Sequence, residues 1–357
     1  MITLSYQEAV KEYLTVHLKP LVTAIDIDSS YPEAVLKGLG KHGFYGSPET
    51  PSREVFTKTL GLIEETAAIC GSTAFSLWCH MAAMIYVRNA VSSYLRKEIL
   101  PLLASGDVLG ATGLSNPLKY YAGMESILLH ATPVRGGYLV NGFLPYVSNL
   151  GQGHWFGIIA QVDENKRIAA FVPCAAEGLK IIERKDFLGL NGSATYNCRF
   201  QDVFIPEKWL IDEDADAFVR RIRGEFVLDQ AGIGFGITRA AISGIRALKD
   251  KQGGVNQFLR QQPDELEERL EALRGKAYGL IDSHHNTTDY CDDVIQIRLG
   301  SSYLTLDAAN AGMLHAGGGA YVNKSNASRR LREAYFVAVV TPAVKQLEKV
   351  SLVGWAH

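Results

Sequence analysis

Four groups of residues have types that could do chemistry at the right spacing. Gly232, Gly234 and Gly236 alternate, as they would in a loop that lets a dinucleotide pyrophosphate approach the backbone. That chemistry needs a preceding strand and an acidic residue roughly 20 positions on within a βαβ unit. The surroundings read as helix, so close helix packing is the expectation. Gly317-Gly318-Gly319 ends a helical run. Glycines there either stop the helix or turn backbone amides toward an anion. Arg329-Arg330-Leu331-Arg332 follows. It reads either as an anion clamp or as a solvated helix face with Glu333 as partner. His284-His285 with Asp289, Asp292 and Asp293 lacks the HxxxH or HExxH spacing that aligns ligands on one face, so no metal site is expected. His80 lies in an apolar run and reads as a core histidine. No Gly-x-Ser-x-Gly elbow or phosphate-binding P-loop is present.

The elements that must position these residues change texture twice. Residues 1 to about 107 read as helices, with Leu62, Ile63, Ala67 and Cys70 at helical spacing and a second run from Ala74 to Tyr86. Thr66 to Val87 carries no charged residue and is long enough to span a bilayer, but Gly71-Ser72-Thr73, Ser76 and His80 interrupt it. A buried helix is expected. Tyr94 to Pro101 reads as a short amphipathic helix stopped by its proline. From Val108 the runs Ser126–Thr132, Tyr138–Val140, Trp155–Gln161, Ile168–Val172, Leu179–Glu183 and Thr195–Ile205 read as strands. Turn signals at Arg135-Gly136-Gly137, Asn141-Gly142 and Asn191-Gly192 separate them. No helix lies between them, which predicts an antiparallel sheet or barrel. From Asp212 the helical pattern returns: Ile233, Ile237, Ala241, Ile245 and Leu248 form one stripe, and Leu266, Leu270, Leu273, Ala277 and Leu280 another. A third helix covers roughly Ile295 to Leu314.

Composition bounds the class. The chain has 357 residues with 36 basic and 38 acidic side chains, a net charge of −2 that gives no general drive toward nucleic acid or an anionic membrane. At 47% hydrophobic and 21% charged it is an ordinary globular composition, large enough for a core without staples. Five scattered cysteines, none in CxxC spacing, predict free thiols in a reducing, cytoplasmic setting. The N-terminal residues show no signal-peptide pattern.

The helical–β–helical order and several segments together resemble the acyl-CoA dehydrogenase superfamily of flavoproteins, over essentially the whole chain. Tyr94 to Gly106 resembles the helix leading into that family's β domain. Gly110 to Pro117, with Leu114, Ser115 and Asn116, is similar to its first flavin-contacting segment. Gly136 to Gly142, then Tyr146-Val147-Ser148-Asn149, resembles the second, where an aromatic, a β-branched residue, a hydroxyl and an asparagine follow one another. Leu188 to Ser193 and Phe200 to Pro206 resemble the later β segments. Gly317-Gly318 and Arg332-Glu333-Ala334 resemble the Gly-Gly and Arg-Asp-Ala segments, of which the first meets the adenosine-pyrophosphate side of the cofactor across a subunit contact.

The resemblance implies an α+β fold with an N-terminal helical domain (1–107), a middle antiparallel β-barrel or sandwich (108–211) and a C-terminal four-helix bundle (212–357). It implies FAD held by Leu114, Ser115, Tyr146, Val147, Ser148, Gly317 and Gly318, a homodimer or homotetramer, and an acyl-CoA-type small-molecule substrate. The family's usual glutamate base falls on Thr341 here. Members that carry the base on the first helix of the last domain have it one position from Glu225 in the best register, so Glu225 is the candidate. No arginine stands in Lys251 to Phe258 where the family has Arg-x-x-Phe-Gly, and Leu314 replaces the glutamine before the glycine pair. These departures leave FMN or reduced flavin as alternatives.

Three readings follow. One is dehydrogenation of the CH–CH group of an acyl thioester with hydride transfer to FAD, served by an electron-transfer partner. A second is a monooxygenase using O₂ and reduced flavin from a separate reductase, with Ser148, Asn149, Asn116 and His315 as candidate donors. The third is a non-catalytic binding protein that has lost the glutamate.

Overall fold

The computed structural model describes residues 5–281 and 288–356. His284 and His285 lie outside the described residues. The chain begins with helices α1 (Tyr6–His17), α2 (Val22–Ile27), α3 (Glu33–Lys41), α4 (Ser52–Ile69), α5 (Gly71–Arg88) and α6 (Leu100–Ala104). Ser5 caps α1 through a reciprocal bond pattern with Glu8. The uncharged stretch is two helices broken at Cys70, whose backbone is extended. In α5 every residue from Gly71 to Val87 is buried, because helices cover one side and the sheet the other. Among the described residues no helix is long and apolar enough to cross a membrane.

Pro101 does not end its helix as expected. The preceding turn is widened, with the Leu100 N–H bonding the Leu95 C=O five residues back. Pro101 then falls in the first turn of α6, where its missing N–H is harmless.

The sheet has eight strands: β1 (Gly110–Thr112), β2 (Leu129–Val134), β3 (Gly137–Val147), β4 (Trp155–Gln161), β5 (Arg167–Pro173), β6 (Leu179–Arg184), β7 (Thr195–Pro206) and β8 (Leu210–Asp212), with α7 (Ser115–Tyr121) between β1 and β2. Most pairings are antiparallel, but β4 runs parallel to β1 and to β2, so the sheet is mixed. β1 and β8 are three-residue strands that carry too little pattern to be seen in the sequence. Asn141-Gly142 is not a turn. β3 runs through it, shifting register between Val140 and Gly142. Gly142 takes φ +135, and a Cβ there would lie 2.3 Å from the Leu128 carbonyl oxygen. The pair therefore marks a bulge, held by Asn141 and Asp202 bonding across the strands.

The last segment is a bundle of α8 (Ala215–Arg246), α9 (Pro263–Ile281), α10 (Thr288–Ala316), α11 (Asn326–Val339) and α12 (Val344–Val353). Asp214 caps α8 by accepting from the Ala217 N–H at 2.9 Å. The alternating glycines are packing residues. A Cβ on Gly232 would stand 3.0 Å from the Leu60 carbonyl oxygen, on Gly234 2.2 Å from Ser301 Oγ, and on Gly236 2.2 Å from the Glu64 carbonyl oxygen. They let α8 sit tightly between α4 and α10. One core joins the helices to one face of the sheet, while a second, including Phe156, Val172 and Phe200, fills the sheet's own interior.

Candidate active site

The sheet, the N-terminal helices and the bundle meet at the start of α7. β1 ends at Thr112, whose Oγ1 lies 2.7 Å from the Tyr86 hydroxyl of α5 and accepts from the Leu114 N–H. Gly113 turns against Gly157, donating its N–H to that carbonyl at 2.8 Å. Leu114 is buried, which leaves backbone as its contribution to any ligand. Ser115 is half-buried, and its Oγ stands 2.9 Å from Thr341 Oγ1. Gln230 of α8 donates to the Thr341 carbonyl at 2.9 Å. Arg298 of α10, fully buried, donates to Gln230 Oε1 at 3.1 Å, to the Val337 carbonyl at 2.7 Å and to Ser302 Oγ. Its named partners are all neutral, and burial lowers its proton affinity to about 10, so it stays a cation at neutral pH. A hydrogen-bonded chain thus runs Arg298–Gln230–Thr341–Ser115.

The end of β3 carries the second group of candidate residues. Tyr146 takes φ +57, is 56% exposed and has its ring edge-on to Phe187. Val147 is buried. Ser148 Oγ lies 2.6 Å from Thr195 Oγ1, which also meets Ser193 Oγ. The backbone at Asn149 and Leu150 bonds the carbonyls of Ser193 and Ala194. Of the six described non-glycine residues with positive φ, Tyr146, Asn149, Leu190 and Ala194 belong to these two touching loops. Left-handed backbone at such residues is strained and concentrates at binding sites. An exposed aromatic, a hydroxyl at a helix start and main-chain amides suit a flat heteroaromatic ring with a polar edge.

The donors assigned to an oxygen-using reaction are already engaged. Asn116 bonds Glu125 and the Ser126 carbonyl and accepts from the Leu128 N–H. Asn149 donates to the Gly110 carbonyl and accepts from the Tyr31 hydroxyl at 2.6 Å. His315 Nε2 meets the Gln261 carbonyl at the other end of α10. His80 is a core histidine as expected: Nδ1 accepts from the Gly110 N–H at 3.0 Å, and burial pushes its proton affinity down to about 3.

Glu225 lies on α8, one turn before Gln230, and is partly buried. Its neighbour Phe226 packs against Trp78 and Tyr86, and its carbonyl accepts from Trp78 Nε1. Burial raises the Glu225 carboxyl to about 7, with Arg88 pulling it back. Asp229, one turn on, has no exposed surface, and among the described residues no donor reaches either of its oxygens. Burial first, then Glu225, holds Asp229 well above the usual carboxylate range. Sequence reasoning missed Asp229. Its signal was a carboxyl inside the apolar run Phe226-Val227-Leu228, four residues after Glu225.

Gly317 and Gly318 are elsewhere. From Arg298 to Ala316 is 18 residues of α10, about 27 Å of helix. Within one chain the glycine pair does not join Ser115 and Tyr146. The next glycine, Gly319, lines a cavity of about 310 Å³ together with Gly244, Ala309, Gly312, Ala316 and Arg330, among others. The arginine run splits three ways. Arg329 pairs with Glu333 at 2.8 Å in the interior, Arg332 pairs with Asp26 at 2.6 Å, and Arg330 lies along the cavity. Glu333 is therefore a partner as expected, but buried and not on a solvated face. All five cysteines are free, and no cluster of metal-binding side chains occurs among the described residues.

Comparison with known proteins places this architecture. Residues 3–107 match the family described as acyl-CoA dehydrogenase, N-terminal domain. The short-chain specific acyl-CoA dehydrogenase of Clostridium acetobutylicum is 24% identical, covering 98% of this chain and 96% of that protein. The mitochondrial isovaleryl-CoA dehydrogenase of Arabidopsis thaliana is 26% identical, covering 96% and 89%. A solved glutaryl-coenzyme A dehydrogenase–glutaryl-CoA complex superposes with a TM-score of 0.88 at 19% identity, covering 99% of this chain and 96% of that one. Residues 3–107 thus carry the acyl-CoA dehydrogenase N-terminal domain, and over its whole length the chain is similar to acyl-CoA dehydrogenases at low identity.

Proposed function

We propose that the chain is an FAD-dependent oxidoreductase that dehydrogenates the CH–CH group next to a thioester carbonyl, with Glu225 as the base. The observation that carries this reading is Glu225 itself. It is a partly buried carboxyl raised to about 7, on the turn of α8 next to the residue that holds Thr341 against Ser115. A base works best when its proton affinity lies near the working pH. Thr341 has only a hydroxyl, already shared with Ser115, and cannot fill that role. When bound, FAD supplies a two-electron acceptor at its ring. Ser115, Tyr146 and the main chain of Leu114, Val147 and Ser148 would hold the ring. Gly317 and Gly318 of a second copy would meet its phosphate end, which their distance along α10 supports, and this implies a homodimer or homotetramer. The named relatives act on acyl-CoA, which supports an acyl thioester as substrate and an electron-transfer protein as partner.

The absorbance spectrum of the purified protein, with titration by FAD and FMN, tests the cofactor. Anaerobic mixing with short straight and branched acyl-CoAs tests the reaction. Bleaching of bound flavin is expected, and its loss in Glu225→Gln with flavin still bound. A chain that binds no flavin, or a variant that bleaches as fast as the parent, overturns the reading.

A further inference from the structure

Asp229 is unexplained by anything above. A carboxyl with no exposed surface and, among the described residues, no donor on either oxygen is among the costliest groups to bury as an anion. It is fixed on α8 four residues after Glu225, a spacing that stacks the two Cβ atoms about 5–6 Å apart on one helix face. That is within reach of a carboxyl–carboxylate hydrogen bond. We propose that Asp229 is a positioning residue that stays protonated and donates its O–H to the Glu225 carboxylate, so that the two groups hold one proton between them. The assignment rests on Glu225 being the base.

The surroundings fit. Arg88 of α5 faces Glu225, and Glu49, in the loop before α4, faces Arg88. Tyr290 of α10 faces both carboxyls. Arg88 is itself held by the Ser47 and Pro48 carbonyls, so it acts on the pair as a fixed charge. With one cation and two acids among the described residues of this desolvated space, the favoured state is one anion and one acid. The acid is Asp229, the deeper group and, among the described residues, the one without a cation facing it. When a substrate C–H gives up its proton, that proton goes to a Glu225 oxygen. Asp229 keeps its own, and the pair passes from one proton to two. Without a donor beside it, Glu225 would take a proton from solvent at rest and be spent as a base.

Two variants separate this from a filling role. Asp229→Asn keeps a donor to Glu225, and Asp229→Leu keeps the volume but removes it. The rate of flavin reduction by an acyl thioester is followed against pH in both. The asparagine variant should retain the parent profile. The leucine variant should move its ionisation to higher pH by about one unit, a roughly fivefold loss of active base at neutral pH. Equal profiles in the two variants overturn the proposal. A second measurement needs no turnover. The infrared carboxylic-acid stretch of the resting protein at neutral pH should show a buried acid that disappears in Asp229→Asn and persists, shifted, in Asp229→Leu. Absence of that band in the parent, or its persistence unchanged in Asp229→Asn, also overturns it. If no thioester bleaches the flavin, the reaction assigned above fails while the infrared result still decides the shared proton.

Discussion

Two faces of α8, scarcely a turn apart, solve the problem of buried polarity in opposite ways. On one, Gln230 is bonded on both ends of its amide, between Arg298 and Thr341. Arg298 in turn reaches Val337 and Ser302. On the other, Glu225 and Asp229 lie in a desolvated space where, among the described residues, acids outnumber the cations that face them. A satisfied network fixes geometry and resists change. An unsatisfied pair stores a proton affinity far from its ordinary value, which is the property a base requires. The first face is scaffold, and the second carries the group proposed above as the base.

The largest effect expected from breaking this contrast is on rate. Glu225→Gln should lower flavin reduction by a thioester on the order of 10²- to 10⁴-fold, the usual worth of a positioned base. Thermal stability should hold or rise, because an ionisable group leaves a desolvated place. Rapid-mixing absorbance and a melting curve on the same sample check both halves.

On the scaffold face the reverse is expected. Arg298→Leu should leave Gln230 Oε1 and the Val337 carbonyl buried without donors, at about 1–3 kcal/mol each. It should melt well below the parent, and urea denaturation gives the difference. If it melts with the parent, Arg298 is not the anchor of the chain leading to Thr341.

Much of this was legible in the sequence, and for identifiable reasons. The strands β4, β5, β6 and β7 were read to within a residue or two because each is a β-branched or aromatic run between turn residues. The close-packing role of Gly232, Gly234 and Gly236 followed from their helical surroundings. Pro101 and Asn141-Gly142 misled because a widened helical turn and a bulge are local answers that use the same residues as a stop and a turn. Arg298 and Asp229 were missed because a charge in an apolar helix looks alike whether it anchors a network or stands alone. Only the partners around it decide, and those come from other helices. The split of Arg329, Arg330 and Arg332 has the same cause. Consecutive helical positions point about 100° apart and meet different neighbours.

Acid titration sets the carboxyl pair against a third buried group. His80 is neutral in the fold, with its proton affinity pushed from 6.5 down to about 3. Between those values the unfolded chain binds a proton that the folded chain does not. Its contribution to stability is therefore present above about pH 6.5 and falls as pH drops, by up to about 1.4 kcal/mol per unit. Glu225, raised from 4.5 to about 7, has the opposite sign. The fold holds its proton more tightly than the unfolded chain, so stability falls as pH rises from 4.5 through 7. Urea melts between pH 5 and 7 should give a shallower slope with pH for His80→Asn than for the parent, and a steeper rise for Glu225→Gln. Slopes that move the other way refute the protonation states assigned to both groups.

The smallest effect is expected where the scaffold face ends, at Ser115. Ser115 and Thr341 share one hydrogen bond, and both are half-buried. Water can take the place of either hydroxyl, so removing one leaves no dry orphan and should change stability by only about 0.5–1 kcal/mol. A double-mutant cycle of Ser115→Ala with Thr341→Val isolates the pair. A coupling under about 1 kcal/mol is expected, together with a change in the absorbance of bound flavin for Ser115→Ala alone. A coupling as large as the Arg298 effect would make this pair part of the scaffold, and the boundary between the two faces would then lie beyond Ser115 and no longer at Thr341.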